Sequence, residues 1–336
     1  MPRFAQLFKD TSPPLVYSNG WQGGSSANDP LLDKYAQATY TFTKTPGATL
    51  NFRFNGTFVG IYGAKRPGYG AYSVKVDDHV FPTLNANSDV PLFNQTLFNT
   101  TLHDGLHNVT LTNLGNTTFD IDYLYFEGNS GKTNEPLLTA TFQDNDPSFT
   151  YFPASSWRQS PRPGTFSGST GTITNDPNAS LQYKFKGDVI LLYGTVTPTS
   201  VSSYLVSVDN GPFFPFSARK ASVRPHQVLY YASNLGRGTH TLKLKFAGTN
   251  GTTGDFAVDF ANLYSTPSLG AHEQNSFAAE IQSPPLSLAE ASHDIPKSVI
   301  AGLTVTSSIA FLAIMAVIYL LWSQRRQKKE GKFVKF

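Results

Sequence analysis

The feature that most constrains this chain is an internal duplication, in which one series of short motifs occurs twice in the same order. The matching segments are 10–17 with 144–151, 54–63 with 185–194, 72–77 with 204–209, 104–111 with 237–244, and 119–123 with 256–260. A repeat of this length is typical of a duplicated folding unit, and the offset between the copies drifts because insertions fall in loops. We therefore predict a first repeat at 1–128, a linker at 129–138 and a second repeat at 139–266.

Within each repeat the apolar residues follow a period of two, which is the period of a β-strand with one buried face. Val74 and Val76 show it in the first repeat, and Leu242 and Leu244 show it in the second. The predicted strands are 38–42, 49–54, 57–62, 72–76, 108–112, 119–126, 181–185, 188–193, 204–208, 239–246 and 256–264. Because no amphipathic helix of twelve residues occurs before residue 270, we predict an all-β fold of two tandem antiparallel β-sandwiches, of the jelly-roll type.

Residues 298–322 are 25 consecutive residues without a charge. A helix of that length spans about 37 Å, enough to cross a hydrocarbon core of ~30 Å, whereas the alternative is a buried core helix. Six Arg and Lys residues follow this segment and Lys297 alone lies just before it, which predicts a cytoplasmic C-terminus. We therefore predict a Pro-rich stalk at 267–297, a single transmembrane helix at 298–322 and a basic cytoplasmic tail at 323–336.

Seven Asn-x-Ser/Thr sequons precede the apolar segment. They begin at Asn55, Asn94, Asn99, Asn108, Asn116, Asn178 and Asn250. Each sequon alone is a weak signal, but seven on one side of the segment predict an N-glycosylated extracellular part and a plasma-membrane location. The first residues contain no apolar run of signal-peptide length, so we expect a signal peptide to be encoded upstream of residue 1.

The formal net charge of +3 does not describe a basic protein, because the charge is unevenly placed. Residues 1–297 carry 20 basic and 22 acidic side chains, and the remaining residues carry 6 basic and 1 acidic. A slightly acidic main part argues against nucleic acid as a partner. The absence of cysteine excludes disulfides, thiolate nucleophiles and zinc–sulfur sites.

The repeats resemble those of a family of fungal single-pass membrane proteins. The resemblance depends on the Tyr17-to-Trp21 spacing, the apolar-Tyr-Gly and Val-Asp strands, the Gly-x-His strand and the final apolar-Asp-aromatic strand. Repeats of this family look like galactose-binding-like jelly rolls, a fold shared with many carbohydrate-binding modules, so carbohydrate binding is implied by analogy. The resemblance covers about 8–128, 142–265 and the anchor. The short tail departs from the long tails of many relatives, which puts signalling through it in doubt.

Four residues are candidates for ligand contacts, namely Trp21, Arg66 and Tyr69 in the first repeat and Trp157 in the second. Exposed indoles stack on sugar faces, and a guanidinium binds sugar hydroxyls or a uronate in bidentate fashion. The alternative for the two tryptophans, which occupy matching positions, is a plug at the end of the core. The alternative for the segment around Arg66 is a solvated loop.

His107 and His240 also match between the repeats. Since neither repeat has the close His spacing of a metal motif, a hydrogen-bonded residue beside a turn is the simpler interpretation.

Asp122 and Asp259 lie inside the last predicted strands, where an aspartate needs a partner. Together with Asp10 and Asp144 at the starts of the repeats, they would suit a structural calcium ion, which prefers hard oxygen ligands. No other cofactor is predicted.

The sequence therefore favours a cell-surface protein that binds glycans or a cell-wall partner. A structural or protein-interaction ectodomain is the alternative. A glycan-active hydrolase, using for example an Asp77–Asp122 pair, is a second one. We predict no enzyme, because the chain has no nucleophile elbow and no phosphate loop, and because a turn accounts for Asp77.

Overall fold

The computed structural model describes residues 1–246 and 254–270. In this part of the chain no helix is long and apolar enough to cross a membrane. The predicted transmembrane segment 298–322, the tail, almost all of the stalk and the Asn250 sequon lie outside the described residues.

The first repeat forms eleven strands, many of them with alternating buried and exposed residues. They are β1 Arg3–Lys9, β2 Val16–Tyr17, β3 Trp21–Gly23, β4 Thr41–Thr43, β5 Thr49–Lys65, β6 Ala71–Val76, β7 His79–Val80, β8 Leu84–Asn85, β9 Leu92–Asn113, β10 Phe119–Ile121 and β11 Tyr123–Asn129. The main sheet has eight strands. Six follow the path β1-β11-β5-β9-β6-β7, while β2 pairs with β5 and β8 pairs with β6. Strands β10, β4 and β3 form a small second sheet in the order β10-β4-β3.

Two long strands, β5 and β9, pair antiparallel along nearly their whole length. Their register shifts just after Gly56, where a Cβ atom would lie 2.2 Å from the carbonyl oxygen of Glu127. Glycine is needed at this point because the backbone of β11 passes so close.

The second repeat forms twelve strands arranged in three antiparallel sheets. They are β12 Leu138–Gln143, β13 Phe149–Phe152, β14 Arg158–Gln159, β15 Thr172–Thr174, β16 Ser180–Phe185, β17 Val189–Val196, β18 Tyr204–Val208, β19 Phe214–Phe216, β20 Arg224–Ala232, β21 His240–Phe246, β22 Phe256–Val258 and β23 Phe260–Ser265. The sheets run β12-β23-β17-β20, β13-β16-β21-β18-β19 and β14-β15-β22. Short 3₁₀ turns lie at Leu32–Lys34, Ala36–Ala38, Ala154–Ser156, Pro163–Thr165, Ser167–Ser169 and Pro267–Leu269.

The two repeats share apolar packing within one compact unit. The core of the first repeat continues into Val189, Leu191 and Val228 of the second. Polar groups also join the repeats, since Thr11 donates a buried hydrogen bond of 2.7 Å to Gln227. The repeats are therefore held together by a continuous interior as well as by the chain that links them.

The all-β, antiparallel prediction is confirmed, but several strand boundaries were wrong. Only the last two residues of segment 38–42 lie in a strand, β4, because the segment begins at the end of a 3₁₀ turn, and most of β9 and all of β20 were missed. The final strands are interrupted at Asp122 and Asp259, where the chain passes from the small sheet to the main sheet of each repeat. A periodic pattern cannot show this change, because the apolar alternation continues through it.

Candidate functional site

Between the two repeats lies a pocket of about 810 Å³. The first repeat contributes the loop before β2, strand β3 and the start of β4, and the second contributes the loops after β17 and β19. Its volume falls within the range of ~300–1,000 Å³ that is typical of ligand sites.

Aromatic side chains form one wall of this pocket. Tyr17 and Trp21 line it with their ring centroids 5.0 Å apart, and both side chains are half-buried. The Tyr17 hydroxyl donates a hydrogen bond of 3.0 Å to the carbonyl oxygen of Asp10, which fixes the ring. The indole Nε1 of Trp21 is buried and has no hydrogen-bond partner among the described residues.

A cationic side chain from the second repeat faces this wall. The Nζ atom of Lys220 lies 5.7 Å from the ring centroid of Tyr17, a cation–π distance. Burial lowers the pKa of Lys220 to about 8, although the nearby charge of Asp10 acts in the opposite direction. The ammonium is therefore still largely charged at pH 7.

Hydroxyl groups line much of the remaining pocket. They belong to Thr11, Ser18, Thr39, Thr41, Ser202, Ser203, Ser217 and Ser222. At one edge the repeats nearly touch, because a Cβ atom on Gly23 would lie 2.4 Å from that of Ala221. The pocket therefore combines a ring wall, the cationic residues Arg219 and Lys220, the acidic Asp10 and several neutral hydroxyls, a set that can bind a polyhydroxylated molecule.

Arg66 and Tyr69, two of the predicted ligand contacts, do not line this pocket. Arg66 forms a two-pronged ion pair with Asp29, at 2.5 and 3.1 Å, and is largely buried. Tyr69 donates a hydrogen bond of 2.8 Å to Asp120, to which Tyr35 also donates. Internal carboxylates therefore accept hydrogen bonds from both side chains, and ligand contact at Arg66 and Tyr69 stays a prediction.

Trp157 is also placed differently from its predicted role. Its side chain belongs to the core of the second repeat and packs on Tyr151, and its Nε1 donates a 3.3 Å hydrogen bond to the carbonyl oxygen of Phe152. With 8 % of its surface exposed, it cannot present a ring face to a sugar. The core-plug alternative therefore applies to Trp157, whereas its counterpart Trp21 lines the pocket.

The carboxylates considered for catalysis or metal binding have separate partners. Asp77 bonds to His107, whereas Asp122 accepts a buried hydrogen bond from the ammonium of Lys9. Asp77 and Asp122 therefore each take part in a contact within the fold. The described residues hold no group of three or more His, Cys, Asp or Glu side chains suited to a metal ion.

Most predicted glycosylation sites lie on the surface. Asn94, Asn99, Asn108, Asn116 and Asn178 are exposed, and Asn55 is half-buried. The side-chain oxygen of Asn94 already accepts a hydrogen bond of 2.5 Å from Tyr123. Glycan attachment at these positions stays a prediction.

Sequence reasoning missed Lys220 altogether. A lone lysine in a loop gives no pattern to detect, and its partner Tyr17 lies about two hundred residues away in the chain. Burial of the ammonium beside an aromatic ring is a signal that appears only in the folded chain.

Comparisons with known proteins give limited matches, and no family model matches this sequence. An A type blood alpha-D-galactosamine galactosaminidase of Flavonifractor plautii is 25% identical over 116 residues, which are 34% of this chain. The matched region spans only about a tenth of that curated relative, 10% of its length.

Two solved structures illustrate the structural likenesses. A CBM36-1 domain of a multidomain xylanase, from the hindgut metagenome of Trinervitermes trinervoides, is 13% identical over 38% of this chain and 100% of its own, with a TM-score of 0.28. The ANX2 ectodomain from Arabidopsis thaliana is 9% identical over 78% of this chain and 97% of its own, with a TM-score of 0.26. Neither TM-score carries a fold or an activity over to this chain.

Proposed function

We propose that this protein binds carbohydrate in the pocket between its two repeats. The observation that carries the proposal is the meeting of Trp21 and Tyr17 from one repeat with Lys220 from the other around about 810 Å³. An aromatic wall offers the C–H face of a sugar a rigid apolar contact at low entropic cost. The hydroxyls around it can exchange hydrogen bonds with the hydroxyls of the sugar.

The Lys220 ammonium favours an acidic sugar. The Lys220 ammonium has no hydrogen-bond acceptor among the described residues, so a carboxylate on the ligand would supply one. A charge-assisted hydrogen bond of this kind is about twice as strong as a neutral one. We therefore propose an oligosaccharide that contains a uronate or a comparable carboxylated unit.

The cellular setting forms part of the same proposal. The predicted span at 298–322, the following basic residues and the sequons support a single-pass plasma-membrane glycoprotein with jelly-roll, galactose-binding-like repeats outside the cell. The name of the curated relative, a galactosaminidase, refers to a glycan, which agrees with this assignment in ligand class.

The test is a glycan array with the full chain in detergent, comparing acidic and neutral oligosaccharides. We expect Trp21→Ala and Lys220→Met each to weaken binding at least tenfold. The matched controls are Phe213→Ala and Lys44→Met, which change exposed side chains away from the pocket and should bind like wild type.

Two outcomes would contradict the proposal. An array without signal for a folded wild-type protein favours the structural or interaction ectodomain. Unchanged binding in both pocket variants would place the glycan site elsewhere. Circular dichroism of every variant separates loss of binding from loss of fold.

A further inference from the structure

In the first repeat a lysine ammonium lies at the centre of a buried ring of oxygen atoms. The Nζ atom of Lys9 donates to the carbonyl oxygens of Asp122, at 2.8 Å, and of Thr39, at 3.3 Å. It also contacts Oδ1 of Asp122, and it lies 3.3 Å from Oδ1 of Asp10. Lys9 and both carboxylates are at most 3 % exposed, so this cation neutralises charge that solvent cannot reach.

The second repeat reproduces the backbone frame of this arrangement. Asp144 donates from its backbone N–H to the carbonyl oxygen of Asp259 at 2.8 Å, and Asp10 does the same to Asp122 at 3.0 Å. Asp144 and Asp259 therefore stand where Asp10 and Asp122 stand in the first repeat.

The side-chain contacts of the two aspartates are reproduced as well. Thr172 donates to Oδ2 of Asp144 at 2.6 Å, as Thr41 does to Asp10 at 2.8 Å. A further pair of bonds comes from the 3₁₀ turns. There the backbone N–H of Ser167 donates to Asp259 at 2.8 Å, and that of Ala36 donates to Asp122 at 3.0 Å.

The two repeats differ in this arrangement at the position of the Lys9 cation. Strand β12 ends in Gln143 at the position where β1 ends in Lys9. The amide Nε2 of Gln143 donates to the hydroxyl of Ser167 at 3.2 Å, so it does not replace the ammonium. The second repeat thus keeps two buried carboxylates and lacks the lysine that neutralises them in the first.

Four side-chain oxygens around this position have no hydrogen-bond donor among the described residues. They are Oε1 of Gln143, Oδ1 of Asp144, Oγ1 of Thr170 and Oδ2 of Asp259. Asp144 and Asp259 are fully buried, which makes uncompensated negative charge costly.

The other ionisable group that faces these carboxylates is His226 of β20. Its Nε2 lies 3.4 Å from Oδ2 of Asp259, and its side chain is 42 % exposed. This contact leaves Oδ2 of Asp259 without a hydrogen-bond donor, so the imidazole does not take the place of the buried ammonium. The turn Ser167–Ser169, which Thr170 follows directly, contributes no cation either.

We propose that the second repeat binds a calcium ion at the position that the Lys9 ammonium occupies in the first. Two carboxylate oxygens, an amide oxygen and a hydroxyl are available there. The carbonyl oxygens of Thr170 and Asp259 correspond to the two that accept from Lys9. Calcium takes six to eight oxygen ligands with flexible geometry, and its charge balances both carboxylates. The site contains only two acidic side chains, and its other donors are neutral oxygens.

The first experiment is calcium titration of the full chain after treatment with EDTA. Isothermal titration should give one calcium ion per chain, and calcium should raise the thermal midpoint. Gln143→Lys installs the ammonium of the first repeat, so it should fold, lose calcium binding and unfold at the same temperature with or without EDTA. The matched control is Gln182→Lys in β16, which adds the same charge away from the site and should bind calcium normally.

A second variant guards against misfolding of the first. Thr170→Val removes one neutral donor while keeping the side-chain shape, and it should weaken calcium binding about tenfold or more. The proposal is overturned if EDTA-treated wild type takes up no calcium. It is equally overturned if folded Gln143→Lys binds calcium as wild type does, or if magnesium binds as tightly as calcium.

Discussion

The imidazole Nδ1 of His107 lies 2.7 Å from Oδ2 of Asp77. This contact joins strand β9, which contains His107, to the hairpin turn that follows β6. The second repeat repeats this pair with 2.6 Å between His240 and Asp209. Asp77 and Asp209 both have a φ of 52°, a left-handed conformation that aspartate adopts more readily than most residues. The matched histidines are therefore explained by a hydrogen-bonded turn.

We expect Asp77→Ala to lower the free energy of unfolding by about 1–2 kcal/mol, because it removes the bonds to His107 and to the backbone N–H of Asn108. The measurement is urea unfolding near pH 7, with exposed Asp89→Ala as control. These bonds hold the pKa of Asp77 below its usual value, so its contribution is present at neutral pH and is lost as the pH falls through that lowered pKa. An equal effect at pH 7 and pH 2 would contradict this account.

The contribution of Asp120 to stability should depend on pH in the opposite direction to that of Asp77. Burial raises its pKa to about 6, so its contribution to stability is greatest when it is protonated in both states. As the pH rises from 4 to 6, the unfolded chain loses this proton first and the native state is destabilised. The stability advantage of wild type over Asp120→Asn should therefore shrink over that range in urea unfolding. An advantage that grows would show that Asp120 is ionised in the fold.

Gly23→Ala should strain the edge of the pocket, because its new Cβ would meet that of Ala221 at 2.4 Å. Overpacking of this kind costs about 1–3 kcal/mol when the neighbour cannot move. The double variant with Ala221→Gly should recover the loss in thermal unfolding. Gly164→Ala, whose Cβ meets nothing within 4 Å, is the control. If the double variant is as unstable as Gly23→Ala, the loss of stability comes from strain within β3 and not from the contact with Ala221.

The repeats should unfold together, because the core of the first continues into the second. Tyr231 of β20 packs on Phe126 and Phe8 of the first repeat, with ring centroids 5.0 and 5.8 Å apart. Tyr231→Ala should lower stability by about 2–4 kcal/mol in a single cooperative transition, as followed by near- and far-UV circular dichroism. Two separated transitions in wild type would contradict shared folding.

Binding of an acidic glycan should weaken as the pH rises from 7 to 9. The pKa of Lys220 is about 8, so the ammonium loses its charge over this interval. Glycan titrations at several pH values check this expectation. Lys220→Arg should bind with little change over the same interval, because its charge persists. A pH-independent wild type would remove Lys220 from the binding interaction.

Several features followed from the residues alone because their causes are local. The duplication, the two-residue apolar period and the turns at Asp77 and Asp209 depend on neighbours along the chain. Asp122 and Asp259 were also recognised as aspartates that need partners in their strands. Asp122 is paired with a lysine, whereas one oxygen of Asp259 has no hydrogen-bond donor among the described residues. This difference could not be inferred from the sequence, because it depends on how the first and last strands of each repeat pair.

The sequence by itself determined an all-β chain of two matched repeats, since periodicity and turn chemistry act within a few residues. The tertiary structure decided which residues at matching positions differ in burial and in their contacts. In the folded chain Trp157 is buried, whereas Trp21 lines the pocket. Arg66 forms an ion pair with Asp29. The tertiary structure also brought Lys220 to Tyr17. The physical reason is that burial and charge pairing depend on groups far apart in the chain, and packing alone brings these together.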